Sequence, residues 1–189
     1  MKKIFFIVIF SIISTLAISQ VTFKPGVKTG LNLSKISNFE DKGLSGFYGG
    51  LLAELKFDSS FALQPEIIYS QQGSKNVRLD YLSFAIASKL FFTKQPSTAY
   101  IVFAPSFDIN LNGSTESYTY NEDYYYSTGV TFQGDITFSG GIGYSFPIDL
   151  DIEFRYKKGI IDAIDDGETR KRLNSVFQIG MVYKFNFKK

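Results

Sequence analysis

Three side chains are missing from this 189-residue sequence altogether: cysteine, histidine and tryptophan. Without Cys there is nothing from which to build a disulfide, a thiolate metal site or an acylated lipoprotein anchor. Without His, the Ser-His and Cys-His nucleophile pairs and imidazole metal ligands are excluded. An excess of one charge is lacking too. Twenty Lys and Arg face 18 Asp and Glu, a net charge of +2, so bulk electrostatics make no case for a nucleic-acid partner. Beyond the N-terminus no segment carries 18 consecutive apolar residues, so no second helical span is expected, and no amphipathic helical period stands out.

What is present is aromatic and alternating. Phe and Tyr supply the whole 17% aromatic share, and both favour strands. The N-terminus is separate in character. Lys2 and Lys3 precede "IFFIVIFSIISTLAI", and the run closes on Ala17, Ile18 and Ser19, a small-x-small pattern before Gln20. At about 15 residues the run falls short of the roughly 20 that a spanning helix needs. Residues 1–19 therefore read as a secretory signal peptide cleaved near Ser19, and residues 20–189 as one exported domain.

Eight period-two segments follow, near 22–33, 45–57, 61–73, 79–92, 98–112, 130–146, 148–159 and 173–187. In each, a bulky apolar set alternates with a polar or small set. Phe61, Leu63, Ile67 and Tyr69 oppose Gln64, Glu66, Ser70 and Gln72; Phe177, Ile179, Met181 and Tyr183 oppose Gln178, Gly180 and Lys184. Such alternation places the two sets on opposite faces of a strand. The connections also alternate. Those at 58–60, 93–97 and near Pro147 are short, whereas those near 34–44, 74–78, 113–129 and 160–172 are mostly longer. In an up-and-down meander this gathers tight turns at one end and larger loops at the other, the asymmetry of an outer-membrane barrel. Phe23, Phe57, Phe61, Phe91, Phe92, Tyr100, Phe146, Phe185 and Phe187 all fall at the short-turn end, as an interfacial girdle would.

The stretch "DLDIEFRYK", residues 149–157, states the problem of orientation most sharply. Its odd positions are all charged and its even positions all large and apolar or aromatic. A soluble sheet would turn Leu150, Ile152, Phe154 and Tyr156 inward; a membrane barrel turns them to lipid and lines its lumen with Asp149, Asp151, Glu153, Arg155 and Lys157. The polar faces also carry Gly26, Gly30, Gly50, Gly141, Gly143 and Gly180, small residues that a narrow interior needs among large ones. These features predict an all-β fold, an eight-stranded antiparallel up-and-down transmembrane β-barrel in the outer membrane.

The segments "FKPGVKTGLNLSKI" (23–36), "LQPEIIYSQQGSK" (63–75), "LDYLSFAIASKLFF" (79–92), "DIEFRYKKGIIDAI" (151–164) and the final "YKFNF" (183–187) resemble the PorT-like outer-membrane β-barrel proteins of Bacteroidetes. The likeness spans nearly the whole mature chain, in order. It implies an integral outer-membrane barrel; one named relative serves a protein-secretion system, a role the resemblance alone does not transfer. Lys188 and Lys189 depart from the pattern, since many such barrels end on the aromatic residue.

Three constellations are candidates for function. Lys28, Glu54, Glu66, Lys89, Asp108, Asp135, Glu153 and Arg155 are expected to point into the lumen, where the near balance of signs favours a structural ion-pair network over acid–base chemistry. Tyr118, Tyr120, Tyr124, Tyr125 and Tyr126 crowd "SYTYNEDYYYST" (117–128), a composition suited to contact with a partner or glycan. Asp162, Asp166 and Gly167 imitate part of a calcium loop, but Ile164 and Leu173 stand where ligands belong, and the pattern fails. No catalytic residue, cofactor or metal site is assigned. The expected partners are outer-membrane lipid and other envelope or secretion proteins, not nucleic acid. Two rivals are a soluble periplasmic barrel binding a small apolar ligand, and a histidine-free outer-membrane enzyme acting on lipid or peptide by a Ser-Lys or carboxylate-only mechanism, for which loss of lipid hydrolysis on mutating Glu66 or Glu153 would be the sign.

Overall fold

The computed structural model describes residues 21–37, 43–74, 77–115, 134–161 and 173–187; the 1–19 segment, the tyrosine-rich loop, the 162–172 loop and the terminal lysines lie outside them. Eight strands follow one another: β1 (Thr22–Ile36), β2 (Leu44–Lys56), β3 (Phe61–Ser74), β4 (Val77–Phe91), β5 (Thr98–Thr115), β6 (Asp135–Ser145), β7 (Leu150–Gly159) and β8 (Asn174–Lys184). Each pairs antiparallel with its neighbour in sequence, and β8 returns to β1, so the sheet closes as a barrel. Closure leaves no strand edge, which a sheet in hydrocarbon requires because lipid offers no hydrogen bonds.

The register sets the barrel's width. One row of paired residues runs Pro25, Ala53, Pro65, Ile86, Pro105, Phe138, Lys158, Ser175 and returns to β1 at Lys35, ten residues beyond its start. Pairing lapses at two points on this row, between Leu52↔Glu66 and Leu55↔Leu63, and between Ala85↔Ser106 and Ser88↔Phe103. Pro65 and Pro105 stand in those gaps; neither has an N–H to give the ladder. The flanking register carries the row through both. A stagger of this kind tilts the strands and, with eight of them, leaves an interior about as wide as the side chains that fill it.

The two faces are sorted as a membrane barrel requires. On β7, Phe154 is 52% exposed while its neighbour Glu153 is 1% exposed. Leu31, Leu51, Phe103, Ile142 and Ile179 likewise project outward, and Lys28, Glu66, Lys89 and Asp151 are buried. The greasy face of "DLDIEFRYK" is thus the outer wall. Asp149 departs from the expected lumen position: it sits in the β6–β7 turn with φ of 60° and pairs with Lys24. Asp tolerates that left-handed conformation better than most side chains.

Three further expectations are corrected. Strand β3 runs to Ser74 and β4 starts at Val77, the two paired, so strand extends into the 74–78 segment that was expected among the mostly longer loops. Strand β6 begins at Asp135 rather than near 130. Phe91 and Tyr100 do not join the girdle; both rings are buried inside, 5.2 Å apart, because their neighbours Phe92 and Ile101 hold the outward positions of the alternation. The outward ring at this end is built from Phe23, Phe57, Phe92, Tyr144, Tyr183, Phe185 and Phe187.

Phe154 lies mid-strand on the apolar wall, paired with Ile142 and Ile179. Phe154→Arg is expected to lower stability by about 2–4 kcal/mol, the cost of a cation at the depth of the hydrocarbon midplane. Urea titration of the barrel in phospholipid vesicles measures it. A cost near zero would mean that this wall does not face lipid.

Candidate functional site: an ionic lattice across the lumen

Strand β7 supplies the centre of the lumen because its charged set occupies consecutive inward positions. Glu153 gathers three cations: Lys28 of β1 at 2.6 Å, Arg155 at 2.8 Å and Lys89 of β4 at 3.2 Å. The Tyr100 hydroxyl of β5 donates to its other side at 2.7 Å. Glu66 of β3 receives both Arg155 terminal nitrogens, at 2.8 and 3.1 Å, and the Gln64 amide at 2.6 Å. Asp151 takes Lys89 and Lys184, each at 3.0 Å. Glu54 of β2 closes the set against Lys184 at 3.3 Å and Lys89 at 3.5 Å. Four carboxylates (Glu54, Glu66, Asp151, Glu153) therefore interlock with four cations (Lys28, Lys89, Arg155, Lys184), and their charges cancel.

Packing around the lattice is equally close. Buried Tyr48 lies against Gly180 and Gly30, and Tyr100 against Gly143; a Cβ at any of these glycines would overlap the ring. The small and large residues of the polar face are thus matched across neighbouring strands. Above the lattice, Lys157 pairs with Asp108 at 2.6 Å. A layer of amides and hydroxyls follows, in which Gln178 donates to Asn32, Asn32 to Ser70, and Asn174 to Gln72. The cavity inside the lattice region measures about 20 Å³, room for a single water. A wider, polar vestibule of about 340 Å³ opens at the short-turn end and stops on Glu54 and Lys184.

The eight lumen residues singled out from the sequence are all buried. The structure brings Lys28, Glu54, Glu66, Lys89, Glu153 and Arg155 into one lattice. Asp108 belongs to the separate pair above it. Asp135 stands near the upper rim and accepts the backbone N–H groups of Ile160 and Ile161 at 3.2 and 3.0 Å. Asp151, Lys157 and Lys184 complete the network and were not among the eight, although the alternation of β7 and β8 already assigned them to the polar face. Tyr100 gave no such signal, having been read as girdle. Tyr118, Tyr120, Tyr124, Tyr125, Tyr126 and the Asp162–Gly167 pattern lie outside the described residues.

A family model for the outer membrane protein beta-barrel domain matches residues 15–165. The chain belongs to this family. It is an outer-membrane β-barrel protein, and lipid is its surroundings. Neisserial surface protein A is similar in fold, at 13% identity over 88% of this chain and 100% of that one, with a TM-score of 0.55. Ail of Yersinia pestis aligns at 12% identity over 88% of this chain and 100% of its own, with a TM-score of 0.46. OprG of Pseudomonas aeruginosa aligns at 11% over 87% and 94%, with a TM-score of 0.45. At these identities the likeness is one of fold. No curated protein matches the sequence.

The polar interior also removes the soluble rival, since a small apolar ligand would find charges where that reading needs an apolar pocket. Arg155→Met is expected to destabilise the barrel by about 3–5 kcal/mol, because Glu66 and Glu153 are left buried with too few cations. Adding Glu66→Gln restores the balance and is expected to recover more than half of the loss. Both are read by urea unfolding in vesicles. Equal stability of Arg155→Met and the parent would mean that the lattice is not what holds the lumen.

Proposed function

We propose that this protein is a non-catalytic outer-membrane barrel that acts as a structural or interaction component of an envelope or secretion assembly, through its extracellular loops. The observation that carries the reading is the neutral lattice across the lumen, beside which, among the described residues, a cavity of about 20 Å³ has room for little more than one water. A lumen packed in this way supports a role carried by the ends of the barrel rather than by transport through it. The composition of 117–128, with Tyr118, Tyr120, Tyr124, Tyr125 and Tyr126, supports the extracellular end: tyrosines give large contact area at low entropic cost. The PorT-like resemblance supports an assembly role as the narrower assignment.

Acid–base catalysis in the lumen finds little support. Glu66 and Glu153 are each held by two or more cations, and the sequence has no histidine to relay a proton. Gentle detergent extraction of outer membranes, native sizing and mass spectrometry of co-migrating proteins test the proposal. A reproducible partner is expected, lost when the five loop tyrosines are changed to serine while the barrel stays folded. Recovery of the chain alone, or steady ion conductance by the purified barrel in planar bilayers, would overturn it.

A further inference from the structure

Outward-facing positions on β6, β7, β8 and β1 are apolar or small almost throughout, and none of their described residues is a carboxylate. Two are lysines. Lys158 of β7 and Lys35 of β1 are both exposed, each one residue from the long-loop end of its strand. They are not scattered. Lys158 pairs with Ser175 of β8, and Ser175 pairs with Lys35, so the three stand side by side on one row. Two interstrand spacings put the lysine Cα atoms about 10 Å apart, with Ser175 between them. Among the described residues neither lysine has an ion-pair partner. Exposed Arg78, by contrast, holds Asp80 at 3.2 Å.

Directly beneath this row the wall is hollow. Leu33, Phe177 and Tyr156 lie two residues down their strands from Lys35, Ser175 and Lys158, and with Ile142 and Phe154 they line an apolar groove of about 490 Å³. The hollow exists because Gly140 occupies an outward position of β6 between Phe138 and Ile142; a Cβ there would meet nothing within 4 Å. A cationic pair with a hydroxyl, set over an apolar groove on a wall already bathed in lipid, matches an amphiphile with an anionic head. Lysines at that level reach toward the headgroup region while their stems stay on the wall.

We propose that the β6–β7–β8–β1 wall binds one phosphorylated lipid of the outer leaflet, with its phosphate between Lys35, Ser175 and Lys158 and an acyl chain in the groove over Gly140. The row climbs toward the loop end from β7 to β1, so Lys158 meets the head from slightly deeper and Lys35 from above. The site is built from strand residues alone.

Native mass spectrometry of the purified full-length barrel, titrated with a bisphosphorylated lipid A and with the same lipid after phosphatase treatment, tests this. One phosphorylated lipid is expected to stay bound, roughly ten- to thirty-fold tighter than the dephosphorylated form, the range two near-surface cations supply. Lys35→Gln with Lys158→Gln should erase that preference. Gly140→Leu fills an open hollow without touching the fold and should weaken both forms alike. The heat-induced gel shift verifies that each variant is folded. Unchanged preference in the lysine double variant, unchanged retention in Gly140→Leu, or complete displacement of the lipid by inorganic phosphate would each overturn the proposal.

Discussion

A backbone in hydrocarbon must satisfy its own hydrogen bonds, and the rest of this structure depends on how the chain does so. Eight antiparallel strands closing on themselves leave no edge. The ten-residue offset between Pro25 and Lys35 then fixes tilt and radius together. Pro65 and Pro105 are tolerated because the gaps they open are confined to one interface each, while Pro65↔Ile86 and Pro105↔Phe138 hold on the other side. Nothing about the lumen was free to vary once that offset was set. Its side chains had to fill a narrow tube from eight walls at once.

That geometry explains why the interior is both ionic and neutral. A lumen residue faces strands that are remote in sequence. Lys28 meets Glu153 across a separation of 125 residues, and Arg155 meets Glu66 across 89. Each charge is too deep to be hydrated, so each must meet its opposite directly. The tyrosines add bulk and a hydroxyl where two carboxylates crowd: Tyr100 donates to Glu153 and also lies within 3.2 Å of Asp151. The facing glycines give the rings their room. Size and charge are therefore complementary at the same positions, and the barrel closes as a packed body rather than as a pipe.

Much of this was legible in the sequence because a period of two is a local property. The strand count, the faces and the outward Phe154 beside the inward Glu153 all follow from reading one strand at a time. Errors arose where parity ran against composition. Phe91 and Tyr100 are aromatic and sit at the short-turn end, yet occupy inward positions, and Asp149 has the parity of β7 but belongs to its turn. Partnerships across the lumen were not legible at all, since they depend on the offset around the barrel. The row of Lys158, Ser175 and Lys35 was hidden for the same reason: residues 35 and 158 become neighbours only after β8 has closed on β1.

The charges inside carry a second consequence, for register. A strand slipped by one residue exchanges its faces. With an apolar interior, such a slip on β7 would trade one greasy face for another. Here it would turn Asp151, Glu153, Arg155 and Lys157 into lipid, each costing on the order of 2–4 kcal/mol near the midplane for the cations and less for the acids. It would also take Glu153 from Lys28, Asp151 and Glu153 from Lys89, Asp151 from Lys184, Arg155 from Glu66 and Lys157 from Asp108. A lattice that spans six of the eight strands thus penalises any one of them for misaligning, even where its net gain over a greasy core is small. The ion pairs that fill the narrow interior are thus also what makes a single register the stable one.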